Sequence, residues 1–196
     1  MKDWTGNINS VFKALGASNH CVEEREENDY YATSPEAIEK LLQHEQLEHT
    51  LWECACGEGH LSKALQAYGH HVDSTDLIYR GYGLGNINFL EQTAVYPGSI
   101  ITNPPYRYVT EFILKALELV EEGHHVYMLL KLTALEGQER YNKVYSKYPP
   151  KKVYVFYKRI SCAKNGKFGA YSSSAVAYAW YVWEKGYTGD TIIKWI

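Results

Sequence analysis

Residues 50–76 read TLWECACGEGHLSKALQAYGHHVDSTD, the pattern of one strand–loop–helix–strand unit. Thr50–Ala55 is a short apolar run with the length and bulk of a buried strand. Gly57 and Gly59 form a glycine loop after it, and HLSKALQAYG follows as a helix that Gly69 ends. His70–Asp76 is the second strand. Two strands joined through a helix pair in parallel, because the crossover returns the chain to the same end of the sheet. The unit therefore points to an α/β fold.

The flanking sequence extends the pattern. Upstream, TSPEAIEKLLQHEQL reads as a helix: Ser34 suits the N-cap, Pro35 and Glu36 the first turn, and Ile38, Leu41 and Leu42 an apolar stripe. Downstream, SIIT (99–102) is strand-like, and residues 108–123 have helical periodicity with a glycine stop. Residues 124–131, 152–158 and 176–183 are further strands, rich in valine, tyrosine and tryptophan. This alternation implies a mostly parallel sheet with helices on both faces. No convincing helix separates the last two strands, so one of them is expected to run antiparallel. The 196 residues fit one domain, 29–196, preceded by a polar segment 1–28 whose run VEEREEND suggests loose attachment.

Composition narrows the function classes. At 45% hydrophobic and 22% charged residues the chain sits in the soluble globular range. No apolar run approaches the roughly 18 to 20 residues of a membrane span. The opening MKDWTGNINS lacks the apolar core of a signal peptide, so a cytoplasmic location is expected. Cys21, Cys54, Cys56 and Cys162 match neither a disulfide framework nor zinc-ligand spacing, and Cys54 and Cys56 read as buried free thiols. The pairs His70-His71 and His124-His125 begin strands and show no metal spacing. Charge is unevenly spread. Residues 1–100 hold 6 basic and 15 acidic side chains, whereas residues 140–167 hold 9 Lys or Arg and no Asp or Glu. Such a basic block is a footprint for a polyanion, or equally a solvated lysine-rich loop.

In a parallel sheet, ligands bind beyond the carboxyl ends of the strands, which directs attention to three loops. Gly57-x-Gly59 lets a ligand approach the backbone and points helix N–H groups at it. It lacks the third glycine of a dinucleotide fingerprint. Asp76 stands 19 residues beyond Gly57, where an acid can accept both hydroxyls of a ribose, and Asp73 competes for that role. Glu53 interrupts an apolar strand, so it either meets a ligand's ammonium group or needs a buried partner. The third loop, Asn103-Pro104-Pro105-Tyr106, is a stiff corner whose prolines offer no N–H. What it presents is acceptors, the Asn103 side-chain oxygen and the proline carbonyls, beside the flat Tyr106 ring. That set suits a planar substrate with an exocyclic amino group.

Taken together, ECACGEG, Asp76 and NPPY make the chain resemble the class I S-adenosylmethionine (SAM)-dependent methyltransferases, and among them the N6-adenine DNA methylases with an NPPY motif. The segments LLKLTALEGQERY, VYVFYKRISCAKNGKF and SSSAVAYAWYVWEKGYTGDTIIKWI are similar to small phage- and prophage-encoded adenine methylases. The resemblance spans residues 29–196, with departures: Cys54 where proline is common, Ser34 inserted before Pro35, and Asn88 in place of an acid beside Phe89.

The resemblance implies a Rossmann-like methyltransferase fold, its seven-stranded sheet mostly parallel with one antiparallel strand. It implies SAM as cofactor, S-adenosylhomocysteine as product and no metal. Cofactor contacts would come from Tyr31, Thr33, Glu53, Ala55, Cys56, Gly57, Gly59, Asp76, Leu77, Asn88, Phe89 and Asn103. Asn103, Pro104, Pro105 and Tyr106 would form the catalytic corner, acting on the N6 amino group of adenine in DNA, with an RNA base or a protein glutamine as alternative substrates. Lys158, Arg159, Lys164, Lys167 and Phe168 would contact the nucleic acid. No membrane partner and no separate recognition domain are expected, and a homodimer fits so small a methylase.

Overall fold

A computed structural model of the protein describes residues 32–160, 162–163 and 176–196. In chain order the elements are β1 (Ala32–Thr33), α1 (Pro35–Leu42), β2 (Thr50–Glu53), α2 (His60–Ala67), β3 (His71–Ser74) and β4 (Ser99–Thr102). Then come α3 (Val109–Leu119), β5 (His125–Lys131), β6 (Lys152–Val155), β7 (Cys162–Ala163), β8 (Tyr178–Glu184) and β9 (Ile192–Trp195). Seven strands form one sheet in the order β3-β2-β4-β5-β8-β6-β9. β8 is antiparallel to both of its neighbours, β5 and β6, and the other pairings are parallel. The expected single antiparallel strand is thus the one inserted between β5 and β6. β1 and β7 make a separate antiparallel ribbon, pairing Thr33 with Cys162.

Strand alternation sends successive side chains to opposite faces, and each face has its own helical cover. Leu51, Ile101, Tyr127, Leu129, Trp180 and Val182 pack with Ile38 and Leu41 of α1 and Leu61 and Leu65 of α2. Trp52, Ile100, Val126, Met128, Tyr181 and Trp183 pack with Phe112, Ile113 and Ala116 of α3. Burial on both faces explains why these strands read as nearly continuous apolar runs. β9 differs. Its four residues are all exposed, and it forms the sheet edge beside β6, a seventh strand that the sequence pattern did not mark.

Two polar ties fix the helices and strand ends. The Trp180 Nε1–H donates to the Ala37 carbonyl at 2.8 Å, pinning α1 to the middle of β8. At the amino end of the sheet, Glu48 accepts from His124 Nδ1 at 2.6 Å and bonds His125 Nδ1 at 3.3 Å. His125 Nε2 meets Glu184 at 3.2 Å, and Glu184 also pairs with Lys151. Burial pushes the Glu48 carboxyl up, but hydrogen bonds from Ser99, His124 and His125 outweigh it and hold the group below its ordinary value.

Trp180→Phe keeps most of the buried ring but removes the donor to Ala37, an expected loss of ~1–3 kcal/mol in denaturant unfolding. Trp180→Ala adds a cavity and is expected to cost ~3–5 kcal/mol. Glu48 stabilises the folded state above its unfolded-state pKa, and that contribution disappears as pH falls through the depressed folded value. Melting curves of Glu48→Gln against pH should therefore lie below wild type near neutrality and converge with it in acid.

Candidate active site

The parallel ladder carries β2, β3 and β4 to a common carboxyl end. Pairing continues past the strands, with the Thr75 N–H on the Glu53 carbonyl and the Cys56 N–H on the Thr75 carbonyl, each 2.9 Å. The turn after β2 uses left-handed backbone at Gly57 (φ 55°) and Gly59 (φ 79°). A Cβ at Gly59 would lie 2.2 Å from the Tyr82 ring. The side of Gly59 where a Cβ would stand is filled by the chain's own Tyr82 ring.

Asp76 supports this turn from β3. Its Oδ2 accepts the Gly57 N–H at 2.8 Å, and its Oδ1 accepts the Ile78 N–H at 2.8 Å and Arg80 Nη1 at 3.1 Å. Asp73, the competing acid, is exposed and accepts from the Tyr96 hydroxyl at 2.9 Å. Of the two, only Asp76 lines the cavity between the strand ends.

Glu53 sits 1% exposed at the centre. Thr102, the last residue of β4, donates its hydroxyl to Glu53 Oε1 at 3.1 Å, and the Asn103 backbone N–H also bonds the carboxylate. Glu53 Oε2 is buried and has no hydrogen-bond partner among the described residues. Burial pushes this carboxyl well above its ordinary value and nearby Asp76 adds to the rise, with the Thr102 and Asn103 bonds opposing only in part. Burial likewise raises the Cys54 thiol and pushes Cys56 up to about 12, so both stand as thiols at neutral pH.

Beyond β4, Asn103 Nδ2 donates to the Thr33 hydroxyl at 3.1 Å, bringing the β1 ribbon against the NPPY corner. The Pro105 carbonyl accepts the Tyr108 N–H at 2.9 Å, so the turn itself uses one of the two proline acceptors. The half-buried Tyr106 ring has Lys131 Nζ 4.4 Å from its centre and the Tyr178 ring 6.0 Å away.

A cavity of about 380 Å³ opens between these ends. Of the expected residues, Ala55, Asp76, Leu77, Asn88, Phe89 and Pro105 line it, while Thr33, Glu53, Gly57 and Asn103 cluster around the same strand ends. Asn88 also caps a short 3₁₀ turn, accepting the Leu90 N–H and donating to Glu91. Sequence reading missed Ile78, Arg80 and Ile87, which line the cavity from an irregular loop where no periodicity marks a facing, and Arg107 and Tyr108, which line it from the short 3₁₀ turn Tyr106–Tyr108. Lys158 and Arg159 are exposed beyond β6. Tyr31, Lys164, Lys167 and Phe168 lie outside the described residues. Among the described residues no group of three metal ligands gathers, and no helix is long and apolar enough to cross a membrane.

No protein-family model and no curated protein matches the chain. Solved structures do match its fold. One from Listeria monocytogenes, named as a candidate class I S-adenosylmethionine-dependent methyltransferase, has a TM-score of 0.63 at 11% identity, covering 89% of this chain and 68% of its own. A candidate RNA methyltransferase from Pyrococcus horikoshii has a TM-score of 0.59 at 16% identity, over 90% and 98%. The modification subunit of a candidate type I restriction enzyme from Vibrio vulnificus has a TM-score of 0.55 at 12% identity, over 96% and 49%. The chain thus has the Rossmann-like fold of the class I SAM-dependent methyltransferases.

An unfolded glutamate ionises near its ordinary value, whereas folded Glu53 keeps its proton to a higher pH. Between the two values the folded state holds the extra proton, so stability falls as pH rises through that window. Glu53→Gln removes the titration, and its melting temperature relative to wild type should rise as pH is raised from the ordinary glutamate range through neutrality. A constant difference over that range would show that Glu53 is ionised in the folded protein.

Proposed function

We propose that the protein transfers a methyl group from SAM to the N6 amino group of adenine in DNA. The observation that carries this reading is the contact of the NPPY corner with Glu53: the Asn103 N–H bonds the Glu53 carboxylate, whose Oε2 is buried without a hydrogen-bond partner among the described residues. A buried acid with an unused acceptor suits a ligand that brings its own cation. SAM carries such an ammonium group, together with an adenosine of a size for a cavity lined by Leu77, Phe89 and Asp76. The residues present therefore fit it.

When bound, the cofactor supplies an electrophilic methyl group. The rest falls to the corner. An exocyclic adenine nitrogen is a poor nucleophile because its lone pair is delocalised into the ring. With Nδ2 on Thr33, the Asn103 side chain keeps Oδ1 as its acceptor. That oxygen and the Pro104 carbonyl accept the two amino hydrogens and favour a tetrahedral nitrogen, whose lone pair then faces the cofactor side. This is catalysis by orientation and electrostatics. Tyr106 provides the flat surface for a base taken out of its stack.

An RNA base is the second reading, supported by the name of the Pyrococcus neighbour. DNA is supported by the NPPY resemblance and by the restriction-modification neighbour. Transfer of labelled methyl from SAM to unmethylated DNA, tRNA and bulk protein separates the substrates. Label is expected in DNA, as N6-methyladenine after digestion. Asn103→Ala should lower kcat by about 100-fold or more. Full activity in that variant would sink the mechanism.

A further inference from the structure

The sheet has two edges, β3 and β9, and the chain treats them differently. Past β3 the Leu84 N–H donates to the Ser74 carbonyl and the Asp76 N–H to the Leu84 carbonyl, each at 2.9 Å, so a loop closes that edge. Among the described residues nothing closes β9 in this way. Ile192, Ile193 and Trp195 are 47%, 47% and 69% exposed there. An open edge with apolar side chains is a template for another strand.

Hydrogen bonds fix which backbone groups that strand would meet. The Ile192 N–H donates to the Lys151 carbonyl at 3.1 Å, and the Ile196 N–H to the Val155 carbonyl at 3.0 Å. Backbone groups alternate sides along a strand. Ile192, Lys194 and Ile196 therefore face β6, while Thr191, Ile193 and Trp195 turn their N–H and C=O groups outward.

The side chains then select the partner. Residues 190–196 read DTIIKWI, with one acid, Asp190, and one base, Lys194. Neither forms an ion pair among the described residues. The Tyr187 hydroxyl donates to the Asp190 carbonyl at 2.7 Å and holds that residue beside the start of the strand. Antiparallel pairing opposes residues of like orientation, so a two-fold axis between identical strands must pass through a residue. With the axis at Ile192, the outward groups of Thr191 meet those of Ile193, and Asp190 meets Lys194 twice, once on each side. Those charged pairs are of the closer kind, with Cα atoms about 4.5 Å apart. An axis at Ile193 sets Lys194 against Ile192, and an axis at Lys194 sets the lysine against itself. A lysine on a sheet edge ordinarily discourages association. Asp190, as far before Ile192 as Lys194 is after it, makes that lysine admit one register.

We propose that β9 pairs antiparallel with β9 of a second copy of this chain, with Ile192 on the two-fold axis and Asp190 bonded to Lys194 across it. The two seven-stranded sheets then run on as one. Asp190, Ile192 and Lys194 share one face of the joint, and Thr191 packs with Ile193 on the other. Strand direction reverses across the axis, so the ligand ends of the two copies open in opposite directions. The pairing stands independently of the methyl-transfer reading.

Sedimentation of the full chain over a range of concentrations tests it, with circular dichroism as the control of an intact fold. Wild type should form dimers with a Kd on the order of 10 μM, as a small interface allows. Ile193→Pro removes an outward N–H, leaves the bonds to β6, and should give a monomer. Asp190→Lys and Lys194→Asp each place like charges opposite one another at two points, and each should raise Kd about ten-fold or more. The double variant D190K/K194D restores opposite charges and should return Kd close to the wild-type value. A wild type still monomeric at about 100 μM leaves the edge to some other chain and refutes the pairing. A dimer that survives Ile193→Pro, or that the double variant fails to restore, refutes it equally.

Discussion

The ligand end of this molecule is organised around a carboxyl group that the fold buries without completing its hydrogen bonds. Glu53 ends the strand between β3 and β4, and what surrounds it comes from both neighbours: Thr102 and Asn103 from β4, Asp76 from β3. Burying an acid this way is unfavourable unless it meets a cation or keeps its proton. The strand register is what holds it there. A slip of one residue in β2 would turn Glu53 to the opposite face and exchange Leu51 with Trp52 across the two cores. The apolar pattern that fixes the fold and the placement of the carboxyl are therefore one constraint.

Asp76 illustrates how the same loops limit affinity. Its two oxygens already accept from two backbone N–H groups and from Arg80. The backbone bonds shape the glycine turn and must persist. A ribose diol could gain a full share of the carboxylate only by taking the place of the arginine. An Asp76 released to a ribose alone would leave the turn after β2 unsupported, so any binding role would come on top of this structural one.

Much of this was legible in the sequence because it follows from periodicity and backbone chemistry. The β2–α2–β3 unit, the antiparallel late strand, the split of apolar residues between two faces and the gathering of Glu53, Asp76 and Asn103 at one end all follow from strand alternation and parallel crossovers. Other features were not legible, for identifiable reasons. β9 is an exposed edge, with neither the apolar run of a buried strand nor the alternation of a half-buried one. Arg80 reaches the cavity from an irregular loop, and Arg107 and Tyr108 from a single 3₁₀ turn too short to show periodicity. The packing of Tyr82 on Gly59 was not legible either, because no spacing in the sequence announces a contact across 23 positions.

The uneven charge of the chain acquires a spatial meaning in this topology. Glu53 and Asp76 lie at the strand ends on the β3–β2–β4 side, while Lys158 and Lys194, which form no ion pair among the described residues, stand on the β6–β9 side. In the proposed reaction the NPPY corner, at the end of β4 between β2 and β5, is where the base would meet the methyl donor.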